Sequence, residues 1–334
     1  MKLFILTISS LLFFSACSQK KYFEPEDSNF FNPYKVLVSD EYIKTFNTKG
    51  ASLENGTIID QKGIVTTKLP AGFEYLNHMD NTIIAADKNK RILVRTNDND
   101  EIIELSRNVI ASSKEENLLY LVFSDNAFGI YDIKNKQFKL KEYGQHAYLN
   151  DIRIASPLIL NNIVLFPTLD GKVIVVDKKS FKTVRTITID PDNQIKNIIL
   201  LEAHGDTLIA ASQNKLVTIH DGKFNSKEFF IQNSLVTDDG NIYIAQLDGT
   251  IAKYNLSLQE LASQKFKFAR VLGMQKDKKN NIFALELGGY LIKIDPELTQ
   301  YKVYSFPFEN DEKVFATNGK IYFENKILFL DLDN

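Results

Sequence analysis

Residues able to do chemistry are few in this chain, and their spacing matches no catalytic or metal-binding motif. No HExxH, His-x-His, GxSxG or GxxxxGK[ST] occurs, and no GxGxxG follows an apolar run. Two Asp-x-Asp pairs, Asp98/Asp100 and Asp190/Asp192, carry the oxygen ligands that calcium takes, but neither lies in an EF-hand loop. We interpret them as turn residues. The sequence therefore predicts no enzyme activity, no metal site and no cofactor.

A short pattern does surround the only cysteine, Cys17. The apolar stretch from Leu3 to Phe14 is too short to span a bilayer, which needs roughly 20 residues, and is typical of a secretory signal. It ends in Phe14-Ser15-Ala16-Cys17, which resembles the bacterial lipobox, whose cysteine is acylated and becomes the new N-terminus. The alternative is an ordinary secretory signal with a cysteine near its end by chance.

The lipobox resemblance implies a lipoprotein signal peptide over residues 1–16 and a lipid anchor at Cys17. Ser18 follows, whereas the family's sorting rule uses an aspartate there for retention in the inner membrane. We therefore expect the outer membrane, on its periplasmic face. Residues 17–33 mix charge with proline and show no sustained period, so we expect a lipidated tether followed by one folded domain over residues 34–334.

The composition is that of an ordinary globular protein, with 44% hydrophobic and 25% charged residues and no tryptophan. Forty basic and 42 acidic side chains give a net charge of −2. A charge this small provides no overall attraction to nucleic acid, so we expect no nucleic-acid partner. A single cysteine excludes internal disulfides, and we expect the chain by itself to be a monomer.

One pattern is repeated through the rest of the chain. In residues 161–177 it consists of Asn161-Asn162, an apolar run, Asp170-Gly171, a second apolar run and Asp177. Asp-Gly between two β-rich runs predicts a hairpin, because its type I′ turn requires positive φ. Seven further copies of varying strength begin at turns that contain Asn55, Asp80, Asn117, Gly205, Asp239, Asn280 and Asn318.

These eight hairpins predict an all-β fold, a β-propeller of eight four-stranded blades. Residues 34–334 allow about 38 residues per blade for eight blades and about 43 for seven, so seven remains the alternative. No stretch after residue 20 sustains a helical period, which argues against βαβ folds. The last hairpin ends near the C-terminus without outer strands. We therefore expect the strand-like residues 35–47 to pair with the last blade and close the ring.

The segments Ala155-Ser156-Pro157, Ile163–Phe166, Asp170-Gly171 and Val173–Asp177 resemble the repeat of PQQ-like β-propellers, most closely that of their BamB lipoprotein branch. That branch serves the machinery that assembles outer-membrane β-barrels, so the resemblance implies an accessory binding subunit. The usual repeat has a Trp that docks one blade on the next; here smaller apolar residues or tyrosines must fill that role. Without Trp and with one Cys, the chain lacks the parts of a quinoprotein dehydrogenase site.

The resemblance also implies a partner and a contact site. BamB proteins grip the POTRA repeats of BamA with apolar residues and an arginine before a Ser-x-Pro-like strand, an element that Leu149, Ile152 and Arg153 resemble. The acidic pair that accompanies it has no counterpart in residues 198–201. Two other functions stay open: an anchored propeller that binds another envelope protein, and a hydrolase or lyase with carboxylates in the central channel.

Overall fold

The computed structural model describes residues 22–30, 33–145, 147, 153–306, 308 and 313–331. All the strands in these residues pair antiparallel within their sheets. The 32 described strands form eight sheets of four strands each. Seven sheets use consecutive strands, and the eighth joins strands from both ends of the chain. Consecutive sheets pack against each other through their inner strands, and the eighth packs against the first. The predicted all-β propeller is confirmed, with eight blades.

We number the blades from the first complete sheet. Blades 1 to 4 contain β2 (Ile43–Phe46), β3 (Ala51–Leu53), β4 (Ile58–Asp60), β5 (Gly63–Val65); β6 (Glu74–Met79), β7 (Thr82–Ala86), β8 (Arg91–Thr96), β9 (Asn99–Glu104); β10 (Val109–Glu115), β11 (Leu118–Phe123), β12 (Ala127–Asp132), β13 (Gln137–Tyr143); and β14 (Leu158–Ile159), β15 (Ile163–Pro167), β16 (Lys172–Asp177), β17 (Lys182–Thr188). Blades 5 to 8 contain β18 (Leu200–His204), β19 (Thr207–Ala211), β20 (Lys215–His220), β21 (Lys223–Glu228); β22 (Ile231–Val236), β23 (Ile242–Gln246), β24 (Thr250–Tyr254), β25 (Glu260–Lys265); β26 (Val271–Lys276), β27 (Ile282–Glu286), β28 (Tyr290–Ile294), β29 (Tyr301–Ser305); and β30 (Val314–Thr317), β31 (Lys320–Phe323), β32 (Lys326–Phe329), β1 (Val36–Val38).

The repeated hairpin of the sequence is the second and third strand of a blade. In blade 4, the loop that contains Asp170-Gly171 joins β15 to β16, as the repeat predicts. Only Gly171 of the pair has positive φ, so the turn is not the expected type I′. These two strands are sandwiched between neighbouring blades, so they are apolar on both faces. The turn glycines are needed where backbones meet: Gly249 has φ +85°, and a Cβ there would lie 1.9 Å from the Phe266 carbonyl oxygen.

The hairpin assignment was wrong by one strand in blade 1. Asn55-Gly56 lies between β3 and β4, the second and third strands, and not before the second strand as the repeat suggested. The corresponding first turn is residues 47–50, where the Asn47 N–H donates to the Gly50 carbonyl at 2.8 Å. Strands of only three or four residues leave too little apolar run for the pattern to be aligned from sequence.

The ring closes by pairing of the two ends of the described domain. β1 runs antiparallel to β32, with Val36 opposite Leu328 and Val38 opposite Lys326. This confirms that an N-terminal strand joins the last blade. Residues 35–47 are not one strand, however: β1 completes blade 8, and β2 is already the innermost strand of blade 1. One segment therefore ties the last blade to the first.

Each seam between neighbouring blades has its own apolar cluster, eight in all among the described residues. At the seam of blades 3 and 4, Phe166 packs against Phe128 and Tyr120, with ring centroids 5.1 Å and 6.2 Å apart. At the seam of blades 6 and 7, the Phe266 and Tyr301 rings meet edge-on at 5.0 Å. Phe and Tyr therefore occupy positions between blades at these seams, whereas the described cluster between blades 4 and 5 is wholly aliphatic, in a chain without Trp.

The described part of the segment expected to be a tether contacts blade 7. Phe23 is 8% exposed and packs edge-on against Phe266 and Tyr290, at 6.2 Å and 5.5 Å. Asn29 then forms a parallel bridge to Tyr304 on the outer strand of blade 7. We call the described residues of this segment, 22–30, 33 and 34, the strap.

Closure of the ring by β1 can be tested with two neighbouring proline substitutions. Phe329 N–H donates to Lys35 O and Ser39 N–H to Asn325 O, so by antiparallel alternation Leu37 N–H points toward β32 and Val38 N–H points away. Leu37→Pro should lower the free energy of unfolding by about 1–3 kcal/mol, since it removes a ladder bond. Val38→Pro is the control and should cost clearly less in urea unfolding. Equal effects would contradict the pairing.

A buried carboxylate joins blades 3 and 4 on the face that carries the turns between second and third strands. Asp170 accepts hydrogen bonds from Asn126 Nδ2 at 2.8 Å and from Lys172 Nζ at 2.6 Å, and Asn126 Oδ1 accepts from Leu169 N–H at 2.7 Å. Burial by itself raises the pKa of Asp170, but hydrogen bonds from Asn126, Lys172 and Thr168 outweigh it and leave the pKa lowered. The charged form is therefore the stabilising one.

We expect this carboxylate to contribute to acid sensitivity. Because its pKa is lowered on folding, its contribution is complete above the unfolded-state pKa and is lost as pH falls through the folded-state pKa. Asp170→Asn should lower stability at neutral pH by about 1–3 kcal/mol and flatten the decline of stability below about pH 4. Unfolding free energies measured across this pH range test it, with the exposed Asp192→Asn as control. An unchanged acid slope in Asp170→Asn would rule the contribution out.

Candidate functional site

The innermost strands of the blades surround a central cavity of about 1620 Å³. Its walls come from blades 1 and 5 to 8, together with Arg153 from the chain leading into blade 4. No described residue of blades 2 and 3 lines it. The open space is therefore displaced toward one side of the ring.

The turn over residues 47–50 explains this displacement. Thr48 Oγ1 donates to the Ile154 carbonyl at 3.0 Å, which links blade 1 to the chain leading into blade 4. Asn47 Nδ2 donates to the Tyr75 carbonyl at 2.7 Å at the start of the inner strand of blade 2. The turn thus crosses in front of blades 2 and 3 and separates them from the cavity.

Polar side chains also tie neighbouring inner strands together around the channel. Each donates to a backbone carbonyl of the next blade, so a buried acceptor is satisfied at the same time as two blades are joined. Three such bonds are Asn77 Nδ2 to Ser112 O (2.8 Å), Ser113 Oγ to Pro157 O (2.6 Å) and Asn233 Nδ2 to Leu272 O (3.0 Å).

Arg153 makes the longest of these ties. Its guanidinium donates to the carbonyls of Gln232 at 2.6 Å and Ile231 at 3.2 Å, both in the inner strand of blade 6, so it spans the position of blade 5. From blade 5, Asn197 Nδ2 donates to the Arg153 carbonyl at 2.6 Å. Arg153 therefore holds three blades at one end of the channel. The other predicted partner residues, Leu149 and Ile152, and the predicted lipidation site, Cys17, lie outside the described residues.

Positive charge is concentrated in the channel. Its described lining includes seven basic residues, Lys49, Arg153, Arg270, Lys276, Lys278, Lys313 and Lys320, and four acidic ones, Glu202, Asp238, Asp277 and Asp331. At one end, Arg270 and Lys313 immediately precede the inner strands of blades 7 and 8. We call this end, where the chain enters the inner strands, the upper mouth.

The acidic side chains lie mostly at the opposite end, which we call the lower mouth. Asp238 accepts from Lys276 Nζ at 3.2 Å, and Asp331 Oδ1 accepts from the Lys278 N–H at 2.9 Å. Asp277 accepts the N–H groups of its own turn. These described acidic side chains are therefore bonded within the lower mouth.

Exposed apolar side chains accompany the upper-mouth cations. Phe230 immediately precedes the inner strand of blade 6 and is 40% exposed, and Leu247 in a neighbouring turn is 48% exposed. They are adjacent, because the Leu247 N–H donates to the Phe230 carbonyl at 2.9 Å. Neither residue was identified from the sequence as part of a binding surface. The available signal was Leu247, a leucine inside the otherwise polar turn before Asp248-Gly249. We call Phe230, Leu247, Arg270 and Lys313 the upper rim.

A buried carboxyl lies beside the upper rim. Glu286 is 3% exposed and accepts the N–H groups of Gly288 at 2.6 Å and Arg270 at 3.2 Å. Burial raises the pKa of Glu286, and these bonds and the Arg270 charge only partly offset that effect. In the part of the chain that the structure describes, no group of three or more His, Cys, Asp or Glu side chains could hold a metal.

Comparison with known proteins finds one curated relative by sequence and several solved structures by fold. No protein-family model matches the chain. The plasminogen-binding protein PgbB from two strains of Helicobacter pylori is 27% identical, over 98% of this chain and 70% of that protein. BamB from Moraxella catarrhalis superposes with a TM-score of 0.67 at 13% identity, over 88% of this chain and 97% of BamB. The chain has the BamB fold.

The BamB fold confirms the structural part of the resemblance noted in the sequence. The C-terminal WD40 domain of Sif2 also superposes, with a TM-score of 0.65 at 11% identity over 89% of this chain and 98% of that domain. Propellers of unrelated sequence therefore share the ring, and function must be argued from the sites. Among the described residues there is no helix with the length and apolarity to cross a membrane.

The role of Arg153 in holding blades together can be measured. Arg153→Met keeps much of the apolar stem but removes the donors to blade 6, so unfolding free energy should fall by about 1.5–3 kcal/mol, the usual range for hydrogen bonds to charged groups. The control is Arg185→Met, at an exposed arginine on the outer strand of blade 4, which should have little effect. Equal stability of the two variants in urea unfolding would contradict a structural role and favour partner contact alone.

Proposed function

We propose that this protein is a non-enzymatic binding protein of the bacterial envelope that receives a protein partner at its upper rim. The observation that carries the proposal is the combination of exposed Phe230 and Leu247 with the cations Arg270 and Lys313 around an open channel. Aromatic residues and arginine dominate the centres of protein interfaces, because they bury a large area and form directed hydrogen bonds. A rigid closed ring presents such residues without rearrangement.

The location that we propose is the periplasmic face of the outer membrane, with a lipid anchor at Cys17. Support comes from the lipobox-like Phe14-Ser15-Ala16-Cys17 and from Ser18 after it. Multiple acyl chains hold a protein at a membrane far more firmly than a single chain does. The anchor would keep the propeller beside its partner and raise the local concentration of both.

Our first candidate partner is BamA, through its POTRA repeats. The BamB fold supports this, as do Leu149, Ile152 and Arg153, which resemble the BamA-binding element of BamB proteins. Arg153 is engaged with blade 6, so in this proposal it contributes by shaping the upper mouth as well as by its charge. The upper rim adds apolar surface next to it.

The second candidate partner is plasminogen, and the observation that favours it is the match to PgbB over 98% of this chain. Another envelope protein is a third possibility within the same binding role. A hydrolase or lyase reaction is less well supported, because three of the four channel carboxylates bond to lysines or to their own turn.

A pair of phenylalanine substitutions tests the upper rim. Phe230→Ser should weaken partner binding about tenfold or more, as loss of an interface anchor does. Phe224→Ser is the matched control, because Phe224 is similarly exposed, at 46%, but lies on the outer strand of blade 5. Affinity would be measured for the purified protein with the POTRA segment of BamA and, separately, with plasminogen.

The outcomes separate the candidates. Binding to the POTRA segment that Phe230→Ser weakens and Phe224→Ser does not would support the first candidate. The same pattern with plasminogen alone would move the assignment to the second. Recovery of a different stable partner from detergent-solubilised envelopes would assign that protein instead. Partner binding that is unaffected by Phe230→Ser would eliminate the upper rim as the site.

A further inference from the structure

The strap crosses the outer edge of blade 7. It starts at the seam of blades 6 and 7, where Phe23 is buried against Phe266 and Tyr290. Asn29 bonds along the edge of β29: its N–H donates to the Val303 carbonyl at 2.9 Å, and its carbonyl accepts from the Ser305 N–H at 3.1 Å. The strap therefore fixes where the N-terminal end of the chain leaves the propeller.

The strap ends at the seam of blades 7 and 8. There the Tyr34 ring packs edge-on against Phe283 at 5.1 Å and Tyr304 at 5.6 Å. Tyr34 is 6% exposed, as well buried as Phe23 at the other end. Two buried aromatic side chains and a backbone bridge thus hold the strap across one blade.

The short distance along the chain from the strap to Cys17 limits where a membrane can be. Cys17 lies five positions before Tyr22, and an extended chain spans at most about 3.5 Å per residue, so the anchor lies within roughly 18 Å of the seam of blades 6 and 7. This step rests on the lipid anchor of the proposed function. With that anchor, the outer wall at this seam is the part of the propeller nearest the lipid.

The outer wall of blade 7, which begins at this seam, has the composition of a membrane-facing surface. At the seam Tyr22 is 64% exposed, Tyr301 49% and Phe268 36%, and Phe30, which follows Asn29 along the edge of blade 7, is 91% exposed. Tyr301 belongs to the same aromatic group as Phe23, because both rings contact Phe266. Aromatic side chains concentrate at the level of lipid headgroups, where one end is apolar and the other is wet.

Lysines flank these aromatic residues. Lys267 is exposed, with its Nζ 5.2 Å from the centroid of the Phe268 ring, and Lys302 is exposed on the outer strand of blade 7, on the face of the sheet opposite Tyr301. Lysines near a membrane surface are attracted to anionic headgroups over about one Debye length. Aromatic and cationic groups therefore both occur on the outer wall of blade 7, next to the end of the strap that is closest to Cys17 along the chain.

We propose that this wall, which we call the seam wall and define as Tyr22, Phe30, Lys267, Phe268, Tyr301 and Lys302, lies against the phospholipid surface. The propeller then stands on its outer edge, with the channel axis roughly parallel to the membrane. Both mouths of the channel stay open to the periplasm, and the upper rim is free to receive a protein.

Because the chain contains no Trp, a single introduced Trp can report this orientation without background from other Trp residues. Tyr301→Trp places one fluorophore on the seam wall. Tyr143→Trp is the matched control: Tyr143 is 61% exposed on the outer strand of blade 3, which lies opposite blade 7 in a ring of eight. The full-length protein would be purified from membranes and reconstituted into phosphatidylethanolamine–phosphatidylglycerol vesicles with brominated acyl chains.

We expect the Tyr301→Trp emission to shift to the blue and to be quenched severalfold more strongly than that of Tyr143→Trp. Lys267→Glu combined with Lys302→Glu should reduce the quenching, with partial recovery on vesicles that lack phosphatidylglycerol. Equal quenching at both positions, or none at Tyr301→Trp in membrane-bound protein, would overturn the proposal. Shielding of Tyr301→Trp by a protein partner but not by lipid would also overturn it, and would assign the seam wall to that partner.

Failure of the anchor is distinguished by the mass of the mature N-terminus and by membrane fractionation. If Cys17 is unmodified, it is the chain's single thiol and can be coupled to a maleimide phospholipid in the same vesicles. The orientation is then measured with an imposed anchor at the same position. The proposed lipidation and the proposed membrane-facing wall are thus tested by separate measurements.

Discussion

Pairing of β1 with β32 is the constraint on which the whole structure depends. A propeller blade buries its faces only against its neighbours, so every blade needs two neighbours and the first must meet the last. Here a three-residue strand from the N-terminal side completes the sheet whose other strands are the last in the chain. Without it, blade 8 would present the unpaired edge of β32. The connection from β1 to β2 then carries the chain directly into the innermost strand of blade 1.

Once the ring is closed, its seams decide the shape of the channel. Apolar side chains fill the gaps between blades, with Phe and Tyr at most of the described seams and only aliphatic residues between blades 4 and 5. Polar side chains from the inner strands bond to the backbone of the next blade. Two of these bonds reach further: Thr48 to Ile154 and Arg153 to blade 6. They join blades that are not adjacent, and they narrow the space in front of the blades between them. The cavity is off-centre for this reason, and its mouth is formed mainly by blades 6 to 8.

The fold could be predicted from the sequence because its signal is repeated. Asp170-Gly171 between two apolar runs specifies a hairpin by local chemistry, and eight such copies specify a ring. The prediction shifted by one strand at Asn55-Gly56, where short strands remove the periodic signal. The site was harder. Arg153 was selected by resemblance, but its bonds to residues 78 and 79 positions away depend on ring geometry. Phe230 and Leu247 are unremarkable in sequence and become a surface only when blade 6 places them together.

A net charge near zero conceals an uneven distribution of charge. The chain as a whole carries −2, yet seven basic residues and four acidic ones line the channel, and the acidic ones are mostly bonded at the lower mouth. Low-dielectric walls focus the electric field of such a cleft, so charge at the upper mouth acts on an approaching surface. Charges on the exposed outer surface of the ring are screened by salt. Whole-chain charge therefore says little about the partner. In the proposed binding role, apolar anchors beside a positive mouth would favour a partner that brings apolar side chains and acidic groups close together. In the proposed orientation, a strap that holds the outer wall of blade 7 toward a lipid anchor would leave that mouth unobstructed.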